Sequence, residues 1–214
     1  MDSDAGLLDP VPSRPYTLPM ADSAVFKEQY EQGRRFSYAD YKGWELDQGE
    51  RYELIYGEAY ALAAPNTYHQ SILMELGRQF ANYFAGKPCK VFPAPFDVRL
   101  FYEEDESDDT VVQPDISVVC DREKLGKEGC RGAPDFVAEI LSPSNSAIEM
   151  QRKYELYREA GVREYWVIDP EHKTLHCYRF SNGTIFPRTY RSSDTAEAGI
   201  FPGLAVELEP VFAE

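Results

Sequence analysis

Apolar residues recur at two spacings along this chain, and the switches between them mark its elements. From Arg51 to Ala63 two short apolar runs flank Tyr56-Gly57, which predicts a hairpin turning at that pair. From Thr67 to about Ala85 the spacing becomes helical. Leu73, Leu76, Phe80, Tyr83 and Phe84 share one face at about 100° per residue, with Ser71, Glu75, Arg78 and Asn82 opposite. Thr67-x-x-Gln70 reads as the capping box that opens this helix. Strand-like spacing returns at Cys89–Phe92 and Phe96–Tyr102, where Phe96, Val98 and Leu100 face one way and Asp97 and Arg99 the other. Val111–Cys120 and Phe136–Ser142 are apolar-rich strands joined by a polar, glycine-containing connection. A second helix runs from about Ala147 to Ala160, capped by Ser146-x-x-Glu149 and stopped by Gly161. A strand at Glu164–Asp169 follows, then a hairpin of Leu175–Phe180 and Thr184–Tyr190 around Asn182-Gly183, and a last strand at Leu204–Leu208.

The order hairpin, helix, strands, helix, strands predicts an α/β sandwich built on a mixed sheet, not a strict alternation of βαβ units. Pro10, Pro12, Pro15 and Pro19 break any period near the start, so residues 1–35 read as a flexible arm, with a short polar helix over Ala21 to about Arg34. The folded domain then spans 36–214, with Ser37 capping a short helix towards Trp44.

Three polar residues stand where apolar ones belong. His69 falls at the centre of the apolar face of the first long helix, in its first turn. The helix dipole there favours a neutral imidazole suited to hydrogen bonding or ligation, although a core histidine bonded to a carbonyl is the plainer account. On the second helix Met150, Tyr154, Leu156, Tyr157 and Ala160 form the apolar arc, and Lys153 lies inside it with Glu149 beside it. An inward lysine must snorkel, pair with an acid or line a wet cleft; a rim pair with Glu149 is the simplest of these. Glu139 sits inside the apolar strand Phe136-Val137-Ala138-Glu139-Ile140-Leu141, at a cost that a cation, a metal or solvent must offset, structural pairing with an arginine being the plainer account. Asp135 shares its face but stands roughly 13 Å along the strand, beyond what metal–oxygen bonds of about 2.1 Å can bridge. Asp115, in Gln113-Pro114-Asp115-Ile116-Ser117, is the better partner: if its strand pairs with that of Glu139, then Asp115, Glu139 and Lys153 converge.

Charge complicates this picture. The 214 residues carry 22 Lys+Arg against 37 Asp+Glu, a net charge of −15, and Glu103–Asp109 alone places six acids in seven residues, read as a solvated loop or hairpin tip. Such acidity opposes tight, non-specific nucleic-acid binding. The sequence has no G-x-G-x-x-G or G-x-x-x-x-G-K-[ST] loop after a strand and no G-x-S-x-G, which argues against dinucleotide, P-loop and serine-hydrolase chemistry. No apolar run approaches membrane-spanning length. Cys89, Cys120, Cys130 and Cys177 show no C-x-x-C spacing, so free thiols in a cytoplasmic protein are expected.

An aspartate after proline entering a strand, a glutamate in the next strand and a nearby lysine form the arrangement of PD-(D/E)XK nucleases. More narrowly, the chain resembles the Uma-two family of putative restriction endonucleases. The stretches that match are Tyr52-Glu53-Leu54-Ile55-Tyr56-Gly57-Glu58, Ala64-Pro65 through His69, Val112-Gln113-Pro114-Asp115, Ala138-Glu139-Ile140-Leu141-Ser142-Pro143-Ser144-Asn145, and Lys153-Tyr154-Glu155-Leu156-Tyr157 through Asp169-Pro170. The resemblance implies a restriction-endonuclease-like mixed sheet sandwiched with helices, plus an N-terminal hairpin. It implies that Asp115 and Glu139 hold Mg²⁺ or Mn²⁺, and that Lys153 positions or activates the water that hydrolyses a DNA phosphodiester. Glu53 and His69 are neighbours of that site without an assigned role. One departure is plain: Leu141 occupies the superfamily's usual lysine position two after Glu139, and Lys153 enters from the helix instead. That displacement leaves room for a nuclease fold kept as a weakly catalytic or inactive binding or assembly module, or for hydrolysis of another phosphoester. Edge strands and the Trp166-bearing strand allow a homodimer, which could gather basic residues into one groove.

Overall fold

The computed structural model describes residues 34–44, 50–142 and 147–213. The expected arm, its polar helix and the Ser146 cap lie almost wholly outside them; only Arg34 and Arg35, of the residues expected there, are described. Chain order is α1 (Tyr38–Tyr41), β1 (Tyr52–Ile55), β2 (Glu58–Ala61), α2 (Thr67–Phe84), β3 (Lys90–Pro93), β4 (Val98–Arg99), β5 (Val111–Val112) and β6 (Ile116–Val119). After a 3₁₀ turn at Arg122–Lys124 come β7 (Leu125–Gly126), β8 (Gly129–Arg131), β9 (Phe136–Ile140), α3 (Ala147–Ala160) and β10 (Glu164–Asp169). The chain then forms β11 (Thr174–Ser181), β12 (Thr184–Arg191), β13 (Thr195–Glu197), β14 (Ala205–Glu207) and α4 (Leu208–Val211).

These strands form two six-stranded mixed sheets, ordered β2-β1-β5-β4-β8-β7 and β12-β11-β10-β9-β6-β3, with β13–β14 as a separate pair. A single sheet with an added hairpin was the expectation; the hairpin is instead the edge of a second sheet. The difference arises inside Val111–Cys120. Pro114 cannot donate to a ladder, and the chain leaves one sheet after Val112 and enters the other at Ile116. Among the described residues, parallel pairing is confined to β9–β10 and β4–β8.

Three apolar layers follow. α2 lays Ile72, Leu73, Leu76, Phe80 and Phe84 on one face of the second sheet, where Phe80, Phe136 and Trp166 meet at centroid distances of 5.0–5.8 Å. The opposite face of that sheet, with Val119, Val137, Tyr165 and Val167, packs against Leu156 and Tyr157 of α3 and against Val98, Leu100 and Val112 of the first sheet. Phe36, Tyr38, Tyr52 and Leu54 close the outer face of the first sheet. β10, with the fully buried Trp166, lies in the middle of its sheet, and the terminal strands of the two large sheets are β2, β7, β12 and β3.

Local chemistry accounts for most of the elements. Ser37 and Asp40 form a reciprocal capping box on α1. Tyr56 and Gly57, both at positive φ (49° and 78°), make the primed turn that suits a two-residue hairpin. Asn66, not Thr67, caps α2 by accepting from the His69 N–H at 2.8 Å, because the chain becomes helical one residue earlier than the box predicts. The expected strand Phe96–Tyr102 shrinks to Val98–Arg99, and Arg99 points inward instead of out. Asp108, expected in solvent, is its buried partner. Cys89 and Cys120 form a disulfide, against the expectation of four free thiols, because the β3–β6 register (Lys90 opposite Val119) sets them face to face. Cys130 and Cys177 are free and buried. No described helix is long and apolar enough to cross a membrane.

Candidate active site

The register of β6 and β9 creates the site. They pair antiparallel, with Ile116 opposite Ala138 and Ser117 opposite Val137, and one further step sets Asp115 against Glu139. Alternation decides the face: Phe136, Ala138 and Ile140 belong to the layer under α2, Val137 to the layer under α3, and Glu139 shares the parity of Val137. The same rule on β1 places Glu53 with Ile55, facing α3, and Tyr52 and Leu54 outward. Carboxylates from two different sheets therefore converge beneath one helix.

Lys153 descends from α3 between them. Its ammonium donates to Glu139 Oε1 and to Glu53 Oε1, each at 2.8 Å, with all three side chains nearly buried. These acids, rather than a rim pair, hold the lysine inside. One helical turn on, the Tyr157 hydroxyl also donates to Glu139 Oε1, at 2.5 Å. Glu53 Oε1 accepts the Gln113 backbone N–H at 2.9 Å, and the Gln113 amide reaches Asp97 Oδ1 at 2.8 Å. Asp115 Oδ2 accepts the Ile140 N–H at 2.7 Å and lies 3.3 Å from His69 Nε2, which approaches from the α2 side. Asp135 stays at the far end of β9, occupied by the Cys120 N–H and Arg163.

All five residues singled out from the sequence are thus in one connected cluster: Asp115, Glu139 and Lys153 as the expected trio, with Glu53 and His69 in direct contact with it. Glu53 was named only through the family resemblance; an acid inside the buried strand Tyr52–Ile55 is the same signal that marked Glu139 and could have found it. Tyr157 and Gln113 were missed. A tyrosine in an apolar arc reads as a ring in the core, and nothing in the helical pattern shows where its hydroxyl ends.

Electrostatics set the site apart. Burial pushes the Glu139 carboxyl up to about 7; the Lys153 charge opposes this and those of Asp115 and Glu53 add to it. Burial works against the Lys153 charge, yet Glu139 and Glu53 hold its pKa well above the usual lysine value. Burial likewise opposes a charged His69, but the hydrogen bond and charge of Asp115 prevail and raise its pKa. The raised value runs against the neutral imidazole expected from the helix dipole, and the Asp115 contact is its largest favourable cause. A cavity of about 30 Å³, lined in part by Glu139, Lys153, Met150 and Tyr165, has room for water but not for a small organic ligand.

No group of three or more His, Cys, Asp and Glu among the described residues is arranged to hold a metal ion by itself. The donors on Glu139 converge on Oε1 and those on Asp115 on Oδ2, so no described donor engages the other oxygen of either carboxylate. Two opposed carboxylates, each with an oxygen to spare, fit a hard ion such as Mg²⁺. That ion takes one or two protein carboxylates and fills its shell from water and phosphate.

Similarity to other proteins gives the family and the fold. The family model described as "Putative restriction endonuclease" matches residues 38–209. The chain belongs to this Uma2 family. It is 25% identical over 165 residues to an uncharacterized protein of Synechocystis, covering 76% of this chain and 84% of that one. A second uncharacterized Synechocystis protein is 27% identical over 144 residues, covering 66% and 76%. The crystal structure of a putative nuclease from Anabaena variabilis superposes with a TM-score of 0.65, covering 83% of this chain and 97% of that one. At 20% identity that likeness is one of fold. Every residue of the Lys153 cluster lies inside the Uma2 match.

Proposed function

We propose that this Uma2 protein is a divalent-cation-dependent endonuclease that hydrolyses DNA phosphodiester bonds, with Asp115 and Glu139 as the cation ligands. The observation that carries this reading is the imbalance at Lys153: one buried ammonium faces Glu53 and Glu139, with Asp115 beside them against the titratable His69, three carboxylates against one permanent cation. Surplus buried negative charge favours either proton uptake, as the raised Glu139 expresses, or a bound cation. A divalent ion there supplies the charge that polarises a phosphoryl oxygen and acidifies water. Lys153 uses two of its three N–H bonds on carboxylates, leaving the third for water in the cavity it lines. Its positive charge also counters the negative charge on the phosphoryl oxygens as water attacks phosphorus and the P–O bond to the leaving strand breaks.

The test is nicking of supercoiled plasmid in Mg²⁺ or Mn²⁺ by the natural protein, Asp115→Ala and Lys153→Ala. Cleavage that needs the ion and disappears in both variants supports the reading; cleavage that persists in Asp115→Ala defeats it. A second reading, a binding or assembly module that keeps the fold with little catalysis, draws on the net charge of −15 and on a lysine already engaged by two acids. DNA binding without cleavage in any metal would favour it.

A further inference from the structure

Resting on the reading of Asp115 and Glu139 as cation ligands, the geometry points to Tyr157 as a positioning residue: its hydroxyl holds the Glu139 carboxylate by Oε1, so that Oε2 would be left for the cation. Tyr157 is fully buried, and its ring packs within the apolar layer under α3, 5.0 Å from the ring of Tyr165. A phenylalanine would fill the same space, so the hydroxyl adds nothing to packing and costs free energy unless bonded. It is bonded, at 2.5 Å, to the one carboxylate oxygen that Lys153 also holds at 2.8 Å. Lys153 and Tyr157 stand four residues apart on α3 and so meet the same oxygen from successive turns. With two donors on Oε1, the carboxylate cannot turn about its own axis without losing both bonds. Lys153 alone is a weaker lock, because its ammonium is shared with Glu53 and can swing towards that acid.

The hydroxyl also suits the task by its charge. A second ammonium at this point would offset the negative charge that attracts a cation. A neutral O–H fixes the ligand and leaves that charge in place. Tyr157 then touches neither substrate nor cation and acts only through Glu139, the role that outer-shell hydrogen bonds play around metal ligands.

The decisive measurement is Mn²⁺ affinity without DNA, read by electron paramagnetic resonance, for the natural protein, Tyr157→Phe, Asp115→Ala and Tyr154→Phe. Tyr154 lies on the same helix but packs against Tyr178 and Phe180, away from the carboxylates, and controls for loss of a phenol. Tyr157→Phe is expected to weaken Mn²⁺ binding at least tenfold, with Tyr154→Phe unchanged and both unfolding within a few degrees of the natural protein. Its cleavage defect should shrink as Mn²⁺ is raised to saturation, which a merely loosened core would not show. Equal Mn²⁺ affinity in Tyr157→Phe and the natural protein overturns the positioning role. If the natural protein binds no Mn²⁺, or Asp115→Ala binds it equally well, the ligand assignment fails first and the role of Tyr157 falls with it.

Discussion

Arg99 and Lys153 are both cations carried into the interior of the same protein, and their surroundings could hardly differ more. Arg99 meets a single acid in two places: its Nε donates to Asp108 Oδ2 at 2.8 Å and its Nη2 to Oδ1, while Nη2 also reaches the Glu103 carbonyl at 2.8 Å. Tyr38 and Tyr102 cover the guanidinium with their rings at 3.8 and 4.4 Å. Charge is matched one to one, and the Nε and Nη2 edge of the guanidinium is taken up by Asp108 and the Glu103 carbonyl, the pattern of a pair that holds a loop in place. Lys153 faces two acids with a third alongside and borders a cavity. Burial alone therefore does not mark a functional cation. On the proposed function unequal charge does, because a structural pair has no reason to retain an excess that must be desolvated.

The largest effect that separates the two sites is on stability. Asp108→Asn leaves Arg99 buried with no counter-charge, and a guanidinium cannot shed its proton. A loss of about 3–5 kcal/mol in denaturant unfolding is expected, with Mn²⁺ binding by the folded fraction intact. Lys153→Met leaves Glu53 and Glu139 facing each other, but Glu139, already pushed up to about 7 by burial, can take a proton and relieve the strain. Its cost should stay near 1 kcal/mol while cleavage falls about a thousandfold, the scale of losing one transition-state contact. If Lys153→Met unfolds the protein as badly as Asp108→Asn, then Lys153 is structural too and the contrast collapses.

The same contrast explains what could be read from the sequence. Glu139 and Lys153 were legible because each breaks an apolar period, and the period itself fixes which way each points. Asp115 followed from needing a ligand on a neighbouring strand. Arg99 was misread for the opposite reason: in a short alternating stretch a charged residue is assigned to water, and no local pattern reveals an acid nine residues away folding back onto it. The break between the two sheets was equally hidden. A run of apolar residues as short as Val111–Val119 looks the same whether it crosses one sheet or passes between two, and only Pro114 hinted at the interruption. The Cys89–Cys120 bond depends on a strand register that brings together cysteines 31 residues apart, which spacing alone does not encode. Tyr157 was half legible, its ring from the helical period and its hydroxyl not at all.

His69 offers a finer probe of the charge surplus. Its imidazole faces Asp115, and this contact outweighs the burial that would otherwise lower its pKa. In metal-free protein the ring should titrate above the ordinary histidine value of about 6.5, and Asp115→Asn should bring the midpoint down. The sign for stability follows from the raised value. The contact contributes fully below the unfolded-state pKa and is lost as pH rises through the folded-state one. NMR of the ring protons against pH reads both proteins, and an unchanged midpoint in Asp115→Asn would mean that Asp115 is not the group that holds the charge.

The smallest effect concerns a third buried or half-buried cation, and it asks how a protein of charge −15 meets a polyanion at all. Arg152 lies next to Lys153 on α3, with its guanidinium 4.6 Å from the centre of the Tyr60 ring. Tyr60 stands opposite Glu53 in the β1–β2 register, so this stack borders the carboxylate cluster. Arg99 is stacked and also ion-paired, whereas no described carboxylate lies within salt-bridge distance of Arg152. A stacked arginine keeps its N–H edge available, and phosphate is the group that edge suits. Arg152→Gln should weaken DNA binding in EDTA by a few-fold and reduce the slope of log affinity against log salt by about 1, the signature of one lost phosphate contact. A slope unchanged by the substitution would place the DNA path elsewhere on the surface. In that case the stack on Tyr60 serves only to fasten α3 over the first sheet, and Arg152 joins Arg99 on the structural side of the comparison.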